Sequence, residues 1–336
     1  MKKLRLHALA AIAATAALVL SACSGGSLDG GSSNAPTENG SSGELTKIVV
    51  GVLPIAPAAA VQLGIDEGIF EKHGLDVELQ LGDGGAALLP AVSSGSMQFA
   101  VGNPLSVLTA ASQGLDMRIV SGYSRNYIDE ADPEDMSASG ITVRSDSGIK
   151  TWKDLEGKTV AINALNTQGD LGTKARVKAD GGDPDLVNFI EIAFPDQLAQ
   201  LEQGNIDASW TPEPFISKAR ATDGIEMLGD PLRASDGVYT MVTFTSGKYA
   251  DEHPEIVKAF HDAIVETGEA SMADRTRFEA AVSAHTGMDP AVVSTINLEL
   301  ISGNLDPAVI ENLSATALEF GFIDQEPDLS KVILLN

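Results

Sequence analysis

From Lys47 onward, short apolar runs alternate with helical stretches of about ten residues, and this alternation restricts the chain to strands and helices laid side by side. Lys47–Leu53 (KIVVGVL) is a continuous apolar run suited to a strand covered on both faces, and Pro54 and Pro57 end it. The spacing predicts a helix over 58–70 with Val61, Leu63 and Ile65 inward, stopped at His73-Gly74. Strand 76–81, helix 86–93, strand 97–101, helix 104–113 and strand 117–121 follow. Pro104 stands in the first turn of its helix and Gly114 just past the end. Parallel strands need crossover helices, so the pattern implies βαβ units.

A second unit of the same kind follows the polar patch 129–139. Ile141–Arg144 reads as a connecting strand, then strand 159–162, helix 168–179, strand 187–193, helix 196–203 and a short strand to Trp210. Tyr239–Thr245 (YTMVTFT) is a strand that returns the chain. Residues 254–322 read as mostly helical, with Pro254 and Pro290 in first turns and Gly321 near the end. Two blocks read alike: AVSSGSMQFAVGNP (91–104) and QLEQGNIDASWTPEP (200–214). Each is helix, glycine, short strand and proline turn, an echo of architecture or simply what any βαβ unit looks like.

The N-terminus sets the compartment. Lys2, Lys3 and Arg5 precede an apolar run, Leu9–Leu20, too short to span a bilayer as a mature helix but suited to a secretion signal. It closes on Leu20-Ser21-Ala22-Cys23, which fits the bacterial lipobox, and Cys23 is the one cysteine of the chain. Cleavage before Cys23 and a lipid on its sulfur are expected, which places the protein on the extracytoplasmic face of the cell membrane. Disulfides and cysteine clusters are excluded. Removing 1–22 takes away three positive charges and no acid, so the formal charge goes from −25 to −28. So acidic a body does not bind nucleic acid through a basic face. Residues 24–43 are polar and small and read as a tether. The expected organisation is a signal at 1–22, a lipidated Cys23 and linker over 23–44, one lobe from 45–140 plus 241–336, and a second lobe from 141–240.

The stretch VELQLGDGGAALLPAVSSGSMQFAVG (77–102) carries G-x-G-x-x-A at Gly82–Ala87, the pattern of a dinucleotide loop. That fingerprint wants an acid about twenty residues on, to hold the ribose. After Asp83 the next Asp or Glu is Asp116, so the loop reads instead as glycines that let backbone approach a ligand at a helix start.

Several blocks together carry a family likeness: LGIDEGIFEKHGLDVEL, ALLPAVSSGSMQFAVGNP, TWKDLEGKTVAI and QLEQGNIDASWTPEPF, in this order over about 47–220. The chain resembles the solute-binding proteins of ABC importers for sulfonates, taurine, nitrate and thiamine-pyrimidine precursors. The resemblance implies a type II periplasmic-binding-protein fold, with two α/β lobes joined by two crossover strands near 141–144 and 240–245 and a ligand cleft between them. It implies a lipid-anchored binder of a small solute, an ABC permease and ATPase as partners, and no cofactor; a monomer is expected.

In open parallel sheets, ligands sit beyond the carboxyl ends of strands. That rule selects Pro54, Ile55, Asp83, Gly84, Asn103, Tyr123, Asn163, Asn166, Thr167, Gln168, Trp210 and Glu213. Asn163–Gln168 offers amides and a hydroxyl before a helix, either as ligand contacts or as an ordinary N-cap. Trp210 either lies against a ligand or packs under the following proline turn. Glu213 is either a hinge element or a partner for an amine, and Arg125 either meets an anion or is solvated. A small organic anion of the alkanesulfonate or taurine type fits these loops best. Taurine adds a need for a carboxylate, for which Asp83 or Glu213 serves. A thiamine-pyrimidine precursor wants aromatic rings on two sides, and the chain is only 5% aromatic. Nitrate binders of the resembled family tend to use cationic side chains, and the loops offer only Arg125. Catalysis has no motif: His73, His253, His261 and His285 stand alone, no metal ligand set is spaced, and no G-x-S-x-G is present, which disfavours an enzyme of the thiamine-pyrimidine synthase type.

Overall fold

A computed structural model describes residues 44–82, 85–126, 137–234 and 238–334. The signal, Cys23, the tether 24–43, Asp83, Gly84 and Tyr127 lie outside the described residues. The strands are β1 (Thr46–Val52), β2 (Leu75–Leu81), β3 (Phe99–Gly102), β4 (Met117–Arg125), β5 (Ser139–Arg144), β6 (Thr159–Ile162), β7 (Asn188–Glu191), β8 (Ala208–Pro212), β9 (Ile225–Gly229), β10 (Tyr239–Ser246) and β11 (Leu300–Ile301).

They form two sheets on one plan. The first has the order β2-β1-β3-β10-β4-β11 and the second β7-β6-β8-β5-β9. β1 pairs in parallel with β2 and β3, and β10 runs antiparallel between β3 and β4. β6 pairs in parallel with β7 and β8, and β5 runs antiparallel between β8 and β9. In each sheet the strand that runs antiparallel between two neighbours is the one on which the chain arrives from the other sheet: β5 after β4, and β10 after β9. These are the strands expected near 141–144 and 240–245. The two blocks that read alike hold equivalent places. Each ends a helix on a left-handed glycine, Gly95 at φ 80° or Gly204 at φ 72°, and enters β3 or β8 beside the incoming strand.

Burial follows each strand's place. β10 is buried along its whole length, because strands flank it on both sides. β2 is an edge strand, and its residues alternate toward solvent. The helix expected over 58–70 breaks in two, Ala59–Asp66 and Ile69–Lys72, because Gly68 takes φ 70° between them. The core of the first lobe is keyed by Phe99 stacked on Phe260, with ring centroids 3.9 Å apart and Tyr249 edge-on to Phe99. The long helix Pro254–Ala273 carries Phe260 and docks on that sheet through Val257, Ala263 and Ile264. Both sheets belong to one compact unit, Gly43–Asn336. No helix among the described residues is long and apolar enough to cross a membrane.

Candidate functional site

Strand ends converge between the two sheets. Leu53 and Ile55 follow β1, Asn103 follows β3, Asn163 follows β6, Phe194 follows β7, and Trp210 and Pro212 close β8. With Ser139, Thr167, Gln168, Leu232, Thr240, Met241 and Glu299 they line a cavity of about 50 Å³. A buried water needs roughly 10–15 Å³ of such space, so the cavity holds on the order of three to five water-sized groups. A larger hollow of about 290 Å³ lies between the helices Gln168–Ala179 and Pro307–Glu319, with Gln168 and Leu232 common to both. We place the site in the smaller cavity, where the carboxyl ends of both sheets meet.

Asn103 and Gln168 join the lobes across it. Asn103 caps the helix Pro104–Ser112, accepting from the Leu105 N–H at 3.0 Å. Its Nδ2 donates to Gln168 Oε1 at 2.9 Å. A second interlobe bond runs from the Ala56 N–H to the Glu213 carbonyl at 3.1 Å. Gln168 opens the helix Gln168–Ala179, whose N-terminus is built as a capping box between Thr167 and Asp170. The Asp170 carboxylate accepts from the Asn166 and Thr167 N–H groups at 2.8 Å each. Burial still pushes its carboxyl up to about 6.

Two buried donors on the wall have no acceptor among the described residues: Gln168 Nε2 and Trp210 Nε1. A buried N–H left unpaired is costly, so such groups point to what the cavity receives. The Trp210 ring also presses on the first helical turn. A Cβ added to Gly169 would stand 2.8 Å from it, so only glycine lets the ring sit there. Phe194 flanks the same indole at 5.9 Å. Trp210 thus both packs and lines the cavity.

Of the residues selected from sequence, Ile55, Asn103, Asn163, Thr167, Gln168 and Trp210 line this cavity, while Pro54, Tyr123, Asn166 and Glu213 do not. Pro54 sits between two lining residues, and its own side chain is outside the lining. Tyr123 is fully buried and donates to the Pro57 carbonyl at 2.7 Å. Asn166 is exposed, with φ 59°, a left-handed conformation that asparagine tolerates; it shapes the cap. Glu213 is buried and held by Ser217 Oγ at 2.8 Å and Arg220 at 3.5 Å. Burial pushes its carboxyl up to about 7 against the pull of those two partners. Arg125 lies 4.2 Å over the Tyr239 ring and donates to its hydroxyl, away from the cavity.

The sequence reasoning missed Leu53, Ser139, Phe194, Leu232, Thr240, Met241 and Glu299, while Pro212 lies inside the strand-end loop Trp210–Glu213 that it selected. Phe194 was within reach of the strand-end rule, since it follows β7. Thr240 and Met241 lie on the returning strand, and Glu299 in a loop before β11 that no local pattern marks. Glu299 is buried and accepts from Thr240 Oγ1 at 2.5 Å, and Thr240 Oγ1 in turn meets Ser124 Oγ at 2.6 Å. Burial shifts its carboxyl upward, opposed by those hydroxyls. No lysine, arginine or histidine among the described residues lines the cavity. Among the described residues, no three His, Cys, Asp or Glu side chains gather as metal ligands.

A profile of the family described as NMT1/THI5 like matches residues 58–276. A protein of Bacillus subtilis (strain 168) named for binding aliphatic sulfonates is 27% identical over 237 residues, 68% of each chain. The taurine-binding periplasmic protein of Escherichia coli (strain K12) is 26% identical over 223 residues, 65% of this chain and 64% of that one. The matches thus span about two thirds of these relatives' own length. In three dimensions the chain is similar to the alkanesulfonate-binding protein SsuA from Xanthomonas axonopodis pv. citri, bound to MOPS. The TM-score is 0.71 at 18% identity, over 87% of this chain and 99% of that one. This likeness gives the fold: two lobes of the periplasmic-binding-protein type.

Proposed function

The chain belongs to the NMT1/THI5-like family, and from that premise we propose that it is the solute-binding component of an ABC import system, taking a small organic anion of the alkanesulfonate or taurine type. The observation that carries the reading is the pair of unpaired buried donors, Gln168 Nε2 and Trp210 Nε1, at a cavity where two sheets present their carboxyl ends. Neutral side-chain N–H donors, one from the first residue of a helix and one from a strand end, suit a diffuse oxyanion without a basic side chain. The names of the Bacillus and Escherichia relatives support the same ligand class. Neutral donors rather than cations line the cavity among the described residues, which favours a sulfonate over nitrate in this reading.

Ligand bridges the two lobes and holds them shut, and the closed form docks on a membrane permease. Closure is a population shift, so the solute must bind the closed form more tightly. Cys23 carries the lipid that keeps the protein at the extracytoplasmic face; Cys23→Ser should release it to the medium, and retention in the membrane fraction would defeat that part. A thermal-shift screen over alkanesulfonates, taurine, nitrate, aromatic carboxylates and pyrimidines tests the whole. A true ligand at a hundredfold excess over its Kd adds about 2.7 kcal/mol by mass action. Stabilisation by a sulfonate is expected; stabilisation by pyrimidines alone would overturn the ligand class.

A further inference from the structure

A buried carboxylate on the wall of an anion site needs explaining. The unpaired donors Gln168 and Trp210 belong to the second lobe, whereas Glu299 and its partner Thr240 belong to the first. Among the described residues, no cationic side chain lines the cavity to offset Glu299. Burial favours the protonated form of this carboxyl, and a simple alkanesulfonate leaves it without a counter-charge, whereas an ammonium beside it favours the ionised form and pairs with it. A solute with a cation at one end and an oxyanion at the other satisfies both lobes at once.

We propose that Glu299 is the specificity-determining residue of this site: it receives an ammonium group, and the solute is a compact zwitterion whose oxyanion meets Gln168 and Trp210. The proposal rests on the transport reading above and narrows its ligand class. Asp83 and Glu213 were the carboxylates the sequence offered for an amine. Glu213 is engaged by Ser217 and Arg220 outside the cavity, and Asp83 lies outside the described residues. Glu299 reaches the cavity lining, anchored by the Thr240–Ser124 hydroxyl chain that fixes one carboxylate oxygen. A zwitterion also gives closure a reason, because each charge is answered by a different lobe.

The test is calorimetry on the full chain freed of its signal, with taurine against 1-propanesulfonate and β-alanine against butyrate. Each pair exchanges ammonium for methyl at nearly constant shape. Wild type should bind taurine at least tenfold more tightly than 1-propanesulfonate, and Glu299→Gln should bring the two within about threefold. The wild-type ratio needs no variant, so a misfolded Glu299→Gln does not blunt it. If 1-propanesulfonate binds as well as taurine, the inference falls and the sulfonate reading stands. If the taurine preference survives in a folded Glu299→Gln, Glu299 is not its source and the inference falls. If no sulfonate binds but β-alanine beats butyrate in a Glu299-dependent way, the inference stands and the sulfonate reading falls. If none of the four binds, both fall.

Discussion

Gly169 shows how one residue shapes the candidate cavity. Its missing Cβ is where the Trp210 ring lies, and any side chain there would sit 2.8 Å from the indole. Alanine is the better helix former by about 1 kcal/mol, so on propensity alone Gly169→Ala should stabilise. Sterics decide otherwise: the indole must tilt, and its Nε1 leaves its place on the wall. We expect Gly169→Ala to weaken solute binding at least tenfold while the melting temperature changes little. Unchanged affinity in calorimetry would remove Trp210 from the site. Asn166 carries the opposite lesson. Its amide looked like a ligand contact, yet its left-handed backbone spends it on the turn that frames the Asp170 cap. A residue's type was legible; whether it faced the cavity depended on a single φ angle.

At the scale of elements, strands and helices with strong local signals matched closely: β6 and the helix Gln168–Ala179 lie at the expected positions. β9 was missed because Ile225–Gly229 (IEMLG) is a short edge strand holding a glutamate and a glycine, paired only with β5. β11 is two residues long and exists only through its pairing with β4. Glu299 stands beside it, so what hid the strand also hid the carboxylate. The junction between lobes is a matter of elements too. Asn103 caps one helix and bonds the first residue of another. Asn103→Ser keeps an N-cap oxygen and loses the reach to Gln168. Stability should hold within about 0.5 kcal/mol while solute affinity falls; Asn103→Ala should lose about 1 kcal/mol of stability as well. Equal affinity in wild type and Asn103→Ser would show that this bond does not help hold the lobes.

For the whole molecule, buried acids predict the response to pH. Asp170, Glu213, Asp230 and Glu299 are all shifted upward by burial, to about 6 for Asp170 and about 7 for Glu213. The folded state holds these protons more tightly than the unfolded chain. The stability they add is therefore complete below the ordinary carboxylate range and is lost as pH rises through the folded values. Asp116, Asp262 and Glu266 are shifted downward, first by hydrogen bonds from Arg118, Lys258 and Lys72 respectively, so their contribution is lost as pH falls. The melting temperature should peak near pH 5 and decline toward pH 8, with Glu213 alone worth on the order of 3 kcal/mol across its window. Glu213→Gln should flatten that decline. A melting temperature that climbs from about pH 5 to 8 would contradict the account.

The central claim is that solute enters between the sheets against Trp210, and the chain supplies its own reporter. Trp152 and Trp210 are its two tryptophans, and Trp152 lies under the Arg176 guanidinium, 4.8 Å from ring centroid to charge and outside the cavity lining. Trp152→Phe leaves Trp210 as the single indole. Titrating this variant with the solute found by calorimetry should give a saturable change in Trp210 emission with the calorimetric Kd. Calorimetric binding with no change at Trp210 would place the solute elsewhere and contradict the site.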